Sequence, residues 1–363
     1  MRQISPIALA VTVALAATLA LALAPQAHAE NTPLRVAFVY LGPVGDHGWT
    51  YGHEKARLAV ENHFGDKVKT HFVENIPEGP EAERVLDTLV REGYDLIFAN
   101  AYGYTRHAIK VGERHPHARI EIATGFKTSP QVSLFSARFY EGRYAAGVIA
   151  AHKTRTGVIG YIASLPVPEV VRGINAFLLG ARSVRPDIRI RLAWVHAWYN
   201  PAREADAARV LIDRGADILT QHTDSTAGLQ VAEAAGIHGF GLASDMHKFA
   251  PNAHIASIVN HWEPYYIRRV QDVLDGEWRS GTYWEGLDAG MVSLSGPHNV
   301  SAEASVAGAE ALWAIAEGKL EIFAGPLIDR DGQLRAAAGE TLSDNDLLEM
   351  NWFLEGVEGE LPN

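Results

Sequence analysis

The sequence has 363 residues, a formal charge of −11, 47% apolar side chains and no cysteine. That length favours two lobes over one core. The missing cysteine excludes disulfides, thiolate metal sites and cysteine nucleophiles, and an acidic chain without a basic run is a poor general nucleic-acid binder.

Residues 1–29 read as a signal peptide. Arg2 supplies the positive start, Ile7 to Leu23 is an apolar run, and Ala27-His28-Ala29 is a small-x-small cleavage site. The run is short for a spanning helix. With no cysteine to carry a lipid, a soluble, secreted, periplasmic and monomeric product is expected.

Leu34 to Leu41 is a nearly continuous apolar run that suits a parallel strand buried on both faces. Gly42 to Gly48 breaks it, and Trp49 to His63 has the pattern of a helix. A strand follows at 68–73, a helix at 78–92, a strand at 96–99, a helix at 105–113, and strands at 119–124 and 132–136. After a helix at 140–151 the cycle restarts: strand 157–162, helix 168–184, strand 188–194, helix 202–214, strand 217–220, helix 226–235, strands 239–242 and 254–258. The remainder reads as a helix at 264–274, a strand near 291–294, a helix at 302–317, a hairpin around Asp331-Gly332 and a short helix from 342.

Regular β/α alternation predicts right-handed crossovers and parallel sheets. The fold class expected is α/β, with two doubly wound parallel-sheet lobes joined by a multi-strand hinge. Lobe 1 takes 30–138 plus about 262–292. Lobe 2 takes 139–261 plus about 293–363.

Open parallel sheets bind ligands beyond the carboxyl ends of their strands. The groups there are Asp46 and Trp49, then Asn100, Tyr102 and Tyr104, then Phe139, Trp198, His222 and Asp224, and finally Asp245, Asn260 and Trp262. Rings alternate with amides and carboxyls, a composition suited to a flat heteroaromatic ligand stacked on its faces and read along its edge. Asn200 stands where a helix cap belongs, and Trp194 and Trp313 sit in apolar runs that read as core. Ser164, Ser225 and Ser244 lack the nucleophile-elbow pattern. There is no HExxH or Walker sequence, and His115-Pro-His117 comes without a carboxylate set. No catalytic residue, metal or cofactor is expected.

The stretches LRVAFVYLGPVGDHGW, FYEGRYAAG, GLASDM, GPLIDRDGQL and MNWFLEGVEG resemble the basic membrane protein family of ABC-importer substrate-binding proteins, which is related to a purine nucleoside receptor. The resemblance runs over nearly the whole chain after the leader. It implies a type I periplasmic binding protein fold, a ligand in the interlobe cleft, and importer permease subunits as partners. By position, the family's first-strand acid and aromatic fall on Asp46 and Trp49, its later aromatics on Tyr102 and Tyr104, and its second acid in GVDSDQ on Asp245. Three family groups that hold ribose are replaced, at Ala243, around Arg106 or His107, and at Asp288. Losing polar partners from a polar site weakens a sugar-bearing ligand. The resemblance thus implies a purine base, adenine or hypoxanthine-like, in place of its nucleoside. The alternatives are a receptor for a nucleoside or for another small aromatic or sugar ligand, and, more distantly, a secreted nucleoside hydrolase.

Overall fold

The computed structural model describes residues 32–362, so the leader read at 1–29 lies outside the described residues. In chain order the regular elements begin with β1 (Leu34–Val39), α1 (Gly48–Phe64), β2 (Val68–Val73), α2 (Pro80–Arg91), β3 (Leu96–Ala99), α3 (Thr105–Arg114), β4 (Ile120–Ala123), β5 (Val132–Ala137) and α4 (Phe139–Lys153). They continue with β6 (Val158–Ala163), α5 (Pro168–Arg182), β7 (Arg189–Trp194), α6 (Pro201–Asp213), β8 (Ile218–His222), α7 (Ala227–Ala234), β9 (His238–Ala243), β10 (His254–Asn260) and α8 (Glu263–Leu274). The last third holds β11 (Thr282–Glu285), β12 (Val292–Leu294), α9 (Ala302–Ala316), β13 (Leu327–Ile328), β14 (Leu334–Ala336), α10 (Asp344–Leu348) and β15 (Val357–Glu358).

The first sheet has the order β11-β5-β4-β3-β1-β2, with every pair parallel. The second has the order β12-β10-β9-β8-β6-β7-β15, parallel except that β12 runs against β10. Without the strands added at the edges, both follow one pattern: the second strand, the first, then the third, fourth and fifth. The order reverses between β1 and β3 in one sheet and between β6 and β8 in the other. Those two switch points are where a doubly wound sheet opens a crevice.

The sequence reasons for this architecture are local. Along β1, Val36 and Phe38 enter one core with Ala56 and Val60 of α1, whereas Ala37 and Val39 enter another with Leu86 and Leu89 of α2. A strand covered on both faces has no polar side to show, hence its unbroken apolar run. The second sheet repeats this, with Ile159 and Tyr161 facing α4 and α5 while Val158 and Ile162 face Leu211 of α6 and Leu229 of α7.

The chain passes between the sheets three times, after β5, after β10 and after β11. Two strands went unforeseen in the sequence: Thr282–Glu285, which pairs in parallel with β5, and Val357–Glu358, which pairs with β7. The hairpin around Asp331-Gly332 is present, as β13 against β14. One tryptophan read as core is not: Trp313 is 56% exposed on α9 with Lys319 over its ring, whereas Trp194 is partly buried against the core and donates its indole N–H to the Glu360 carbonyl.

Candidate functional site

Loops at the carboxyl ends of both sheets enclose a cavity with about 510 Å³ of empty space, its solvent mouth included. Trp49 reaches it from the start of α1, Asn100 and Tyr102 follow β3, and Phe139 opens α4. The opposite wall is built by Glu169 in the first turn of α5, Trp198 after β7, His222 to Asp224 after β8, Leu242 near the end of β9, and Asn260 at the end of β10. Both switch points therefore feed one site.

The rings are fixed from behind. The Trp49 indole N–H donates to the Asn100 carbonyl at 2.6 Å, and the ring meets Trp262 edge-on at 5.3 Å and His53 at 4.5 Å. Phe139 lies 6.1 Å from Trp49 but tilted by 51°, so the two form an open wedge, not a parallel sandwich. Phe139 and Trp198 also flank His222, at 6.3 Å and 6.4 Å.

The polar groups are held for reading an edge. Asn100 uses its Oδ1 to accept the Leu41 N–H at 2.8 Å, leaving Nδ2 with no partner in the protein. His222 is buried, with Nε2 3.3 Å from Glu169 Oε1 and Nδ1 without a partner. Burial holds its imidazole below the ordinary range, with Glu169 opposing and Arg143 and Arg172 adding to the effect. Thr223 Oγ1 and both side-chain polar atoms of Asn260 are likewise buried and unpartnered. Orphaned polar atoms are costly in a core, at roughly 1–3 kcal/mol each, and here four residues that carry them line one cavity, Asn100 from the first sheet and the others from the second. Asp224 accepts the Trp49 N–H through Oδ1 at 3.2 Å. Burial first, and the nearby Glu204 carboxylate second, push it up to about 7.

Eight of the residues singled out in the sequence line this cavity: Trp49, Asn100, Tyr102, Phe139, Trp198, His222, Asp224 and Asn260. Four do not. Asp46 is exposed on the rim, where Lys248 first and His47 second hold its carboxyl down at about 2, through contacts of 2.6 Å and 2.9 Å. Tyr104 turns the other way, into the core behind the first sheet, with its hydroxyl given to the Ile76 carbonyl. Asp245 sits on the loop after β9, accepting from the His247 N–H and the Ser295 hydroxyl. Trp262 is fully buried, stacked on His53 at 4.8 Å and edge-on to Trp49, so it stands behind the Trp49 ring. Asn200 is the helix cap expected, accepting the Arg203 N–H at 3.1 Å. Glu169 was missed, although it follows the strand-end stretch ending at Pro168 by one residue.

A family profile described as "ABC transporter substrate-binding protein PnrA-like" matches residues 34–314. A purine-binding protein of Brucella abortus (strain 2308) is 48% identical over 336 residues, covering 93% of this chain and 96% of that protein. A putative ABC transporter glucose-binding protein of Haloferax volcanii is 35% identical, covering 92% of this chain and 83% of that protein. Among solved structures, a solute-binding protein of an ABC transporter system from Aeropyrum pernix K1 superposes with a TM-score of 0.69 at 19% identity, over 79% of this chain and 92% of that one. At that identity the likeness speaks for the fold.

Proposed function

The chain belongs to the PnrA-like family of ABC transporter substrate-binding proteins, and from that premise we propose that its ligand is a purine nucleobase of the adenine or hypoxanthine kind. The observation that carries this reading is the pairing of flat walls with orphaned edge groups. Trp49, Phe139 and Trp198 supply ring faces, while Asn100, His222, Thr223 and Asn260 carry buried polar atoms that find no partner within the protein. A purine presents ring-nitrogen acceptors, an N–H donor and an exocyclic group around one planar perimeter. Asp224 and Glu169 accept from its N–H groups, Asn100 gives through Nδ2, and the Asn260 amide both gives and receives. The rings add stacking, at roughly 0.5–1.5 kcal/mol per contact beyond area burial.

On this reading the protein is a periplasmic receptor delivered by its leader. It closes on one base and hands it to the importer's permease subunits in the inner membrane. No helix among the described residues is long and apolar enough to cross a membrane. The relative named for purine binding supports the base reading. The relative named for glucose binding supports a second reading, a sugar held by the same polar wall.

Titration calorimetry separates them. Adenine or hypoxanthine binds at least about tenfold tighter than adenosine, inosine or glucose, a difference of about 1.4 kcal/mol. Trp49→Ala lowers the base affinity by a similar factor. Tighter binding of glucose overturns the purine reading, tighter binding of a nucleoside overturns the base assignment, and wild-type affinity in Trp49→Ala removes the stacking role.

A further inference from the structure

Three histidines from separate segments meet outside the ligand cavity. His247 lies in the helical turn at 247–249, His254 begins β10, and His298 stands in the loop between β12 and α9. One ring nitrogen from each lies within 4.8 Å of the other two. His247 and His298 stack at 3.9 Å, and His254 sits 5.6 Å and 5.8 Å from them.

Packing alone accounts for the ring faces but not for the nitrogens. His254 is fully buried; its Nε2 lies 2.8 Å from Ser257 Oγ, and its Nδ1 has no partner. Nδ1 of His247 is buried and unpartnered as well. Two orphaned imidazole nitrogens in one cluster of three rings are the mark of a group waiting for a common acceptor of lone pairs. Asp245 lies on the other side of the His254 ring: its Oδ1 is 3.9 Å from Nε2, the nitrogen turned to Ser257, and accepts the His247 backbone N–H at 3.0 Å.

We propose that His247, His254 and His298 form a binding site for a divalent transition ion of the zinc type, with water completing a tetrahedron. Three imidazoles suit zinc, copper or nickel, not magnesium or calcium. Zinc binds imidazole nitrogen at about 2.0–2.1 Å, which places tetrahedral ligand atoms about 3.4 Å apart. The rings therefore draw together on loading. Ser257 acts as the outer partner that orients His254.

The site's position gives it a consequence. The segment from Ser244 to Phe249 also touches the β1–α1 loop and the start of α1. There Ser244 Oγ accepts the Gly48 N–H at 2.8 Å, Lys248 meets Asp46, and Phe249 packs on His47 at 4.8 Å. An ion on His247 pins that segment to the sheet.

The test is equilibrium dialysis of the metal-stripped full chain against zinc chloride, with metal analysis and thermal melts. The wild type takes up one zinc per chain and melts higher with zinc. His247→Ala and His298→Ala, both at partly exposed positions, each weaken uptake by at least about tenfold and lose the rise in melting, while melting like the wild type without zinc. His298→Gln serves where an alanine variant does not fold. A His115→Ala/His117→Ala control keeps full uptake. Absence of saturable uptake in the wild type, or uptake unchanged in the His247 and His298 variants, overturns the site.

Discussion

Asp224 bears a backbone contact and a site at once. Its Oδ1 accepts the Trp49 N–H across the cleft, and its surroundings hold the carboxyl near neutrality, at about 7. A folded-state value above the unfolded one means that this group favours the folded protein fully at acid pH. The contribution is lost as pH rises from about 4 through about 7. In the proposed complex the preference reverses, because an N–H donor from a purine would stabilise the carboxylate. Base affinity therefore rises by about tenfold between pH 6 and pH 8, following the ionised fraction of one group at about 7. Asp224→Asn flattens that dependence, read by calorimetry across the range; a profile as steep as the wild type's assigns the titration elsewhere. The strand-end rule found this residue together with Trp49, Asn100, His222 and Asn260, because it locates where loops begin. It does not give the direction of a side chain one or two residues further on. That is why Tyr104 turns into the core and Tyr102 does not, and why Asp46 ends on the rim.

Between elements, α4 and α5 pack backbone to backbone on one face of the second sheet. A Cβ on Gly147 would stand 2.1 Å from the Phe177 carbonyl oxygen, and one on Gly180 would stand 2.0 Å from the Tyr144 carbonyl oxygen. Backbone meets backbone, so no rotamer change relieves the clash. Gly147→Ala forces the helices apart and destabilises the protein by about 3 kcal/mol or more, seen as a lower urea midpoint with an unchanged slope; a wild-type midpoint would contradict the packing. The Ala and Gly content of this helix is plain in the sequence as a sign of close packing, although its partner is not. The same limit hid β11. Thr282 to Glu285 is four residues long and gains its place by pairing with β5, well over a hundred residues earlier. Short edge strands with distant partners leave little periodicity to read, whereas β1 carries its two-faced burial in its own composition. Trp313 shows the opposite failure, an apolar run on an Ala-rich helix whose large ring faces solvent.

At the scale of the molecule, three cross-cleft contacts come from the end of the β1–α1 loop and the start of α1. Gly48 N–H donates to Ser244, Trp49 N–H donates to Asp224, and Asp46 pairs with Lys248. Gly48 has φ of +79°, and a Cβ there would lie 3.0 Å from the Asp224 carbonyl oxygen, so glycine allows the second lobe to come this close. Contacts formed only when the lobes shut add their free energy to that of the ligand and shift the open–closed equilibrium. They act on release, since a ligand leaves only after the cleft opens. Ser244→Ala removes one buried acceptor and speeds release of the bound base by about threefold to tenfold, as expected for a net hydrogen bond of about 1 kcal/mol. Lys248→Ala changes the rate by less than about twofold, because its pair with Asp46 stands in solvent and is screened. Stopped-flow displacement measures both rates, and small-angle scattering with and without the base reports the closure itself. Release from Ser244→Ala at the wild-type rate, with no compaction on ligand binding, would mean that this loop clasps the lobes whether or not the site is filled. Compaction on binding with faster release identifies the β1–α1 loop as the latch, and places the control of affinity partly in residues that never touch the ligand.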